Sequence, residues 1–326
     1  MKYFVSGGAG FIGSTLVNRL IEEGNEVIVV DDLSMGNVNN LIDNKRLTFF
    51  KADIRDIELV REIFKNNSFS YIFHLAAVAS VADSIERPFE THQVNMEATL
   101  DLLELAKETQ KNLKRFVFAS SAAVYGDDQV LPKSEISRIK PLSPYAIDKY
   151  SSEQYVLLYN TLYGLPTSAV RFFNVYGPNQ NPSSPYSGVL SIITNHFKKI
   201  RNNEKDVFTI FGDGSQTRDF VYVEDVLQAL KLVSEKEEAL GEVFNVGTGA
   251  PSSINDVLGI YESEMNIKPI IQFEESRKGD IKDSVADISK LKKIGFSPNY
   301  SLDEGIAEYL KEDRQYCERL NSCGME

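Results

Sequence analysis

The sequence predicts an α/β fold, with a doubly wound parallel sheet in its first half and a smaller interleaved α/β lobe in its second. Three observations carry that expectation. Short runs rich in Val, Ile and Phe alternate with helical patterns through residues 1–173. A glycine cluster separates the first such run from the first helix. The residues able to carry chemistry fall just past the ends of successive runs, where sheets of this kind bind ligands.

Lys2-Tyr3-Phe4-Val5-Ser6 reads as the first strand, and Ser14 to Glu23 as a helix with Leu16, Val17, Leu20 and Ile21 on one side. Between them, Gly7-x-x-Gly10-x-x-Gly13 has the form of a dinucleotide phosphate cradle, in a wider spacing than G-x-G-x-x-G. Gly7 permits the tight turn, Gly10 lets the backbone approach a pyrophosphate, and Gly13 lets helix pack on strand. A glycine cluster alone is a weak signal; its place after a strand and before a helix makes it strong. Phe11 and Ile12, at the helix start, join these glycines as candidate cofactor residues.

The second run, Glu26 to Val30, ends in Asp31-Asp32. An acid there accepts hydrogen bonds from an adenosine ribose and repels a 2′-phosphate, which favours NAD over NADP. Asp31, directly after the apolar run, is preferred to Asp32. Leu47 to Lys51 is the third strand, leading to Ala52-Asp53-Ile54, and Ser70 to Leu75 the fourth, leading to Ala76-Ala77. A helix from about Phe89 to Gln110 carries Val94, Leu100, Leu103 and Ala106; Arg115 to Ala119 is the fifth strand.

The central stretch runs from Phe118 to Lys149. Tyr145 and Lys149 lie four apart in a helical segment, so both point to one face about one turn apart. A free tyrosine, with a pKa of about 10, is phenolate roughly one time in a thousand at neutral pH. A nearby ammonium can lower that pKa by roughly 1–3 units, which would make Tyr145 a usable base. Ser121 follows the fifth strand and can hydrogen-bond a substrate oxygen. A bare Y-x-x-x-K is more often an incidental surface pair. Here Gly7, Asp31, Asp53, Ala76 and Ser121 all fall at the strand ends, and that coincidence favours a site.

The second half is less regular. Thr167 to Phe173 is a further strand, followed by Asn174 and a loop punctuated by Pro178, Pro182 and Pro185. Gly188 to Ile200, Val223 to Ser234 and Leu302 to Tyr316 read as helices; Val207 to Phe211 and Glu242 to Val246 read as short strands. The expected division is residues 1–173 for the cofactor, with crossover segments at roughly 212–247, and 174–326 mainly for the substrate. Arg218 and Arg277 could supply guanidinium forks to phosphate oxygens, though either alone is more often an ion-pair residue. His196 reads as structural.

Composition narrows the function. At 326 residues, 42% hydrophobic and 25% charged, the chain can bury a large core. No apolar run approaches the roughly 20 residues of a membrane span, and the amino terminus enters a strand instead of a signal peptide. Cys317 and Cys323 lie together in the polar tail and there are three histidines, so neither a disulfide framework nor a metal site is expected, and the compartment reads as cytoplasmic. A net charge of −12 argues against nucleic acid and anionic membranes, but leaves room for an anionic small ligand held by a few local cations.

Taken together, Gly7-x-x-Gly10-x-x-Gly13, Asp31, Asp53-Ile54, His74-Leu75-Ala76-Ala77, Asn95, Ser120-Ser121 and Tyr145-x-x-x-Lys149 resemble the extended short-chain dehydrogenase/reductase family over nearly the whole chain. Within it, the chain resembles the nucleotide-sugar 4-epimerases, with a Rossmann-type cofactor sheet. The resemblance implies that Asp53 and Ile54 flank the adenine, that Lys149 also holds the nicotinamide ribose, and that Leu75, Ala76, Ala77, Asn95 and Phe172 contact NAD. It implies that Ser121, Ala122, Asn174, Arg218 and Arg277 face the nucleotide-sugar, that Asp280 meets its ribose, and that Val189 and Phe211 cradle its base. Ala79 departs from some UDP-galactose 4-epimerases, which carry lysine there against the cofactor phosphates. Ser284 matches a position where strict UDP-glucose/galactose enzymes tend to carry tyrosine, so a sugar with a bulky 2-substituent would fit.

The implied reaction is NAD-dependent 4-epimerisation of a UDP-hexose or UDP-N-acetylhexosamine through a 4-keto sugar, for polysaccharide biosynthesis. A 4,6-dehydratase is less favoured, because Ala122 and Ala123 stand where those enzymes typically carry Asp-Glu. The same residues are also compatible with a C4 dehydrogenase and with a non-catalytic NAD-binding regulator. The resemblance further implies a homodimer through a four-helix bundle of the Asn95 and Tyr145 helices, although Leu102, Leu105, Leu157 and Leu158 could equally be core.

Overall fold

A computed structural model describes residues 1–180, 188–276 and 281–323; in the last helix, side chains are described to residue 312. Strands β1 (Lys2–Ser6), β2 (Glu26–Asp31) and β3 (Leu47–Lys51) alternate with helices α1 (Phe11–Glu22) and α2 (Ile57–Asn66). Then come β4 (Tyr71–His74), α3 (Val81–Glu86), α4 (Pro88–His92), α5 (Ala98–Thr109), β5 (Arg115–Ser121), α6 (Pro144–Tyr163) and β6 (Thr167–Phe172). The chain next builds β7 (Asn174–Tyr176), α7 (Val189–Arg201), β8 (Phe208–Phe211) and β9 (Thr217–Tyr222). It returns through α8 (Val223–Glu235) to β10 (Val243–Val246). The remainder is β11 (Pro251–Ser253), α9 (Ile254–Met265), β12 (Ile271–Glu274), β13 (Asp283–Ser284), α10 (Ser289–Lys293) and α11 (Leu302–Cys323).

The main sheet is parallel throughout, in the order β10-β6-β5-β4-β1-β2-β3. Its two faces explain why the strands read as nearly continuous apolar runs. Tyr3 and Val5 of β1 pack with Leu16, Val17, Val226 and Leu230 of α1 and α8, while Phe4 packs with Val60, Ile63, Leu102 and Val156 on the other side. Successive side chains of a strand point to opposite faces, so helices must cover both. The order reverses between β1 and β4, the switch point where such sheets open a crevice.

The smaller lobe pairs β9 with β7, β11 and β13, and β8 with β12, over a third apolar cluster built from α7, α9 and α11. Asp219 of β9, fully buried, ties it together. Its carboxylate accepts from Thr248 N and Oγ1 (both 2.7 Å), Gly249 N (2.9 Å) and Ala286 N (3.0 Å).

The helix expected from Phe89 to Gln110 is really α4, a wide π turn over Gln93–Glu97, and α5. The wide turn sets Asn95 to other work: its carbonyl accepts from Thr99 Oγ1 (2.8 Å) and Ser152 Oγ (2.9 Å), and its side chain clamps Val78. Leu102 and Leu105 are core, 1% exposed each, so they cannot form a dimer face; Leu157 is partly buried against the same core, and Leu158 is exposed.

His74 illustrates what full burial does to a titratable group. Thr99 Oγ1 spends its proton on the Asn95 carbonyl, so it accepts from His74 Nε2 (2.9 Å), while His74 Nδ1 accepts from Ser6 Oγ (2.6 Å). Burial, and secondarily the Lys149 charge, lower the imidazole pKa to about 3. Between that value and its ordinary pKa of about 6.5 the unfolded chain binds a proton that the folded chain refuses, so stability falls as pH falls through this window. Chemical denaturation at pH 7 and pH 5 should show about 2 kcal/mol less acid destabilisation in His74→Gln than in the wild type.

Candidate active site

The crevice, about 540 Å³, opens at the carboxyl ends of the main-sheet strands and is lined by the glycine loop, Asp31, Asp53, Ala76, Ser121, Tyr145 and Lys149. Its floor begins at α1, whose N-cap Gly10 supplies no side chain to the helix start. The first N–H groups of that helix therefore remain available to an anion. Gly7 has φ +70°, and a Cβ there would lie 2.7 Å from Ala76 N. A Cβ at Gly13 would fall inside van der Waals contact of the Gly7 carbonyl oxygen. These are cradles that side chains would fill, and they fit the pyrophosphate of a dinucleotide.

Asp31 is buried, and its carboxylate accepts from Ala9 N (2.9 Å) and Leu33 N (2.8 Å). Burial raises its pKa while these two backbone donors oppose the rise. It holds the glycine loop against β2 as well as facing the crevice. Asp32 is exposed, and its Oδ1 accepts from Ser34 N (2.8 Å) and Ser34 Oγ (2.6 Å). Asp53 is gripped by Arg55, Nη2 to Oδ2 at 2.6 Å, and the guanidinium holds its carboxyl below the usual range. Phe11, Ile12, Ile54, Leu75, Ala77 and Phe172 also line the crevice. Asn95 lies just behind the lining, 1% exposed, with Oδ1 accepting from Val78 N (2.8 Å) and Nδ2 donating to Val78 O (3.1 Å). It thereby shapes the crevice-lining loop after β4.

Helix α6 positions the reactive pair. Ser143 caps it by accepting from Ala146 N (3.2 Å), Pro144 begins it, and Gly164 ends it in the left-handed conformation. Ser121, at the end of β5, accepts from Ala123 N (3.2 Å) and lines the crevice with Tyr145. The chain thus brings Ser121, Tyr145 and Lys149 to one crevice.

The expected charge effect is not found. Burial raises the Tyr145 pKa, and only the Ser121 hydrogen bond opposes it. Lys149 is buried, donates to Ala119 O at 2.8 Å, and its Nζ lies 4.9 Å from the centre of the Phe118 ring. Burial lowers its pKa to about 7. An ammonium aimed at a carbonyl and only partly charged at neutral pH cannot dominate its neighbour's titration. In the cofactor-free protein, Tyr145 is a phenol.

Among the described residues, those expected to meet substrate lie outside the crevice lining, apart from Ser121. Ala122 opens a 3-10 turn after it, Asn174 starts β7, Val189 starts α7 beside crevice-lining Gly188, and Phe211 ends β8. Arg218 and Ser284 are directly paired across β9 and β13, with Arg218 Nη1 donating to Thr217 O (2.8 Å) and Lys282 O (3.0 Å). Arg277 and Asp280 lie outside the described residues. His196 is buried and bonded to Asp206 at 2.9 Å, a structural place. Sequence reasoning missed Arg55, and it missed Arg87 with its ion-pair partners Asp83 (3.5 Å) and Glu90 (2.9 Å) at the crevice wall. No motif spacing flags these exposed charges.

Comparison with known proteins agrees with this geometry. The profile of the family described as GDP-mannose 4,6 dehydratase matches residues 4–309. A UDP-glucose 4-epimerase of Mycolicibacterium smegmatis is 36% identical over 313 residues, covering 94% of this chain and 97% of that one. The solved UDP-N-acetylglucosamine 4-epimerase of Methanobrevibacter ruminantium M1, in complex with UDP-N-acetylmuramic acid, superimposes with a TM-score of 0.88 at 38% identity. That match covers 97% of this chain and 98% of that one. The UDP-glucose 4-epimerase of Thermus thermophilus, in complex with NAD, gives a TM-score of 0.86 at 34% identity, covering 96% and 99%.

Proposed function

We propose, from the premise that this chain belongs to the family described as GDP-mannose 4,6 dehydratase and resembles its UDP-sugar 4-epimerases, that it interconverts the C4 epimers of a UDP-hexose or UDP-N-acetylhexosamine with NAD. The observation carrying this is that Ser121, Tyr145 and Lys149 line one crevice together with an open, glycine-lined helix terminus. Residues 1–173, with crossover segments at roughly 212–247, hold the cofactor; residues 174–326 mainly hold the UDP-sugar. NAD, when bound, supplies a reversible hydride acceptor and a positive charge. Gly7, Gly10, Phe11, Ile12 and Gly13 hold its pyrophosphate, Asp31 and Asp32 its adenosine ribose, and Asp53 and Ile54 its adenine.

Ionised beside the positive charge that bound NAD would add, Tyr145 takes the proton of the sugar 4-hydroxyl as the C4–H bond breaks, and Ser121 hydrogen-bonds the same oxygen. The flat 4-keto sugar turns about its diphosphate tether, held by Asn174, Arg218 and Arg277, before Tyr145 returns the proton. Lys149 keeps positive charge beneath Tyr145. Ala122 and Ala123 offer no proton to C5 or C6, which favours epimerisation over 4,6-dehydration. The test is incubation with UDP-glucose, UDP-galactose and their N-acetylamino counterparts, with products read by NMR. The 4-epimer without net NADH is expected. A 4-keto-6-deoxy product would replace this reading with dehydration, stoichiometric NADH with C4 oxidation, and no product from any UDP-sugar with a binding role.

Ser284, short and paired beside Arg218, leaves room next to the sugar's 2-position, so N-acetylhexosamines are accepted as well as or better than hexoses. Ser284→Tyr should lower kcat/KM for UDP-N-acetylglucosamine relative to UDP-glucose by roughly tenfold to a hundredfold. An unchanged ratio rejects the pocket argument.

The functional unit is a homodimer. Ile147, Tyr155, Leu158 and Leu162 are all exposed on α6, at spacings that form one stripe along the helix. Leu158→Glu combined with Leu162→Glu should convert a dimer to monomer in sedimentation. The activity belongs in the cytoplasm, supplying UDP-sugars to polysaccharide biosynthesis. Among the described residues, no helix is long and apolar enough to cross a membrane.

A further inference from the structure

The active-site helix carries a buried carboxylate that the epimerisation chemistry does not use. Tyr145, Lys149 and Glu153 lie four apart on α6, so the three share one face of the helix. Glu153 is fully buried, and Arg171 of β6 holds it in a fork: Nη2 donates to Oε1 at 2.6 Å and Nε to Oε2 at 2.8 Å. Oε2 also accepts from Ser120 Oγ at 2.7 Å. Ser120 precedes Ser121 and pairs directly with Arg171 across β5 and β6. The third guanidinium nitrogen, Nη1, donates to the Tyr125 hydroxyl (2.8 Å) and to the Glu135 carbonyl (3.1 Å). Tyr125 in turn donates to Asn245 Oδ1 of β10 at 2.6 Å. One ion pair thus joins α6 to three adjacent strands, and each of its nitrogens and oxygens is bonded.

The geometry points to Glu153 and Arg171 as positioning residues, a pin that sets α6 against the end of β5 so that Ser121 and Tyr145 meet one substrate oxygen. The assignment rests on the proposed roles of Ser121 and Tyr145. A buried ion pair is weak evidence of added stability, because apolar side chains of similar volume often serve as well or better. Its best attested use is to select one register over its neighbours. Here the register concerns the reacting groups: Ser120 is one residue from Ser121, and Glu153 is one turn from Lys149 and about two from Tyr145. The bond from Lys149 to Ala119 O (2.8 Å) joins the same helix and strand, but through a flexible side chain with one point of contact. The planar fork of Arg171 fixes distance and angle together. Misplacing reacting groups by about 1 Å can cost about a hundredfold in rate.

Glu153→Met combined with Arg171→Met removes both charges and keeps the volume, so a folded protein with Tm within a few degrees of wild type is expected. Its kcat on a UDP-sugar should fall roughly tenfold to a hundredfold, with KM and NAD affinity within about threefold of wild type. Ser120→Ala, which removes one bond of the pin, should lower kcat by about threefold. Placement is read without turnover by fluorine NMR of protein carrying 3-fluorotyrosine, with the Tyr145 resonance assigned from its absence in Tyr145→Phe. That resonance should shift and broaden in the double variant, while the resonance of Tyr261, in the smaller lobe, stays in place. Lost stability alone would move neither below the melting transition. A displaced Tyr145 resonance with no turnover in any form would support the pin and reject the epimerase reading. An unmoved Tyr145 resonance in the double variant, or a wild-type kcat in it, overturns the proposal; if that variant does not fold, an unmoved resonance in Ser120→Ala does so.

Discussion

Replacing Tyr145 by phenylalanine is expected to cut kcat about a thousandfold while UDP-sugar and NAD affinities change by no more than a few-fold. The basis is that the ring fills the same space, whereas the hydroxyl, in the crevice beside Ser121, is the group assigned to exchange a proton with the sugar. General acid–base catalysis by one positioned side chain is worth roughly 10²–10⁴-fold. Because Tyr145 in the cofactor-free protein has its pKa raised by burial, the loss should appear in turnover and not in binding. Stopped assays with NMR detection, paired with calorimetric titration of UDP-sugar, separate the two. Turnover within tenfold of wild type would remove Tyr145 from the chemistry.

Lys149→Met is expected to lower kcat by about a hundredfold or more and, at the same time, to stabilise the cofactor-free protein near pH 6. The sign follows from burial. Lys149 titrates at about 7 in the folded protein, against about 10.4 in an unfolded chain. Between these values the unfolded chain binds a proton the folded chain lacks, so stability rises with pH across the window and is least below about 7. Removing the amine lifts a cost of up to about 4 kcal/mol, reduced by the lost hydrogen bond to Ala119 O. The gain in chemical-denaturation midpoint should be largest near pH 6 and fade towards pH 10. A variant less stable than wild type at pH 6 would show that Lys149 is already solvated.

The main sheet was legible because its strands are buried on both faces and its helices on one. Lys2–Ser6 and Leu47–Lys51 end where the residue pattern ends, and β2 runs on by one residue through Asp31. The smaller lobe was less so. Strands of two to four residues, such as β7, β11 and β13, depend on partners far away in sequence, and no local alternation marks them. The amphipathic helices α2 and α9 were likewise not singled out by reasoning that followed motifs. At the site, Tyr145, Lys149 and Ser121 could be found from spacing, but the sign of the Tyr145 shift could not. That sign depends on where the Lys149 amine points and how much water surrounds it, and only packing decides both. The bond from Val78 to the Asn95 amide was hidden for a related reason, since the π turn that carries Asn95 has no signature in the run from Phe89 to Gln110.

The return of the chain to the main sheet at β10, after it has already laid down half of the second lobe, also bears on how the protein can be taken apart. A cut after Phe172 would leave β6 with a bare hydrogen-bonding edge and would strip Val226 and Leu230 from the face they cover. Each fragment would expose an edge or an apolar face that the other covers in the whole chain. The two lobes therefore share one frame, and a change of substrate by single side-chain replacement would leave that frame whole.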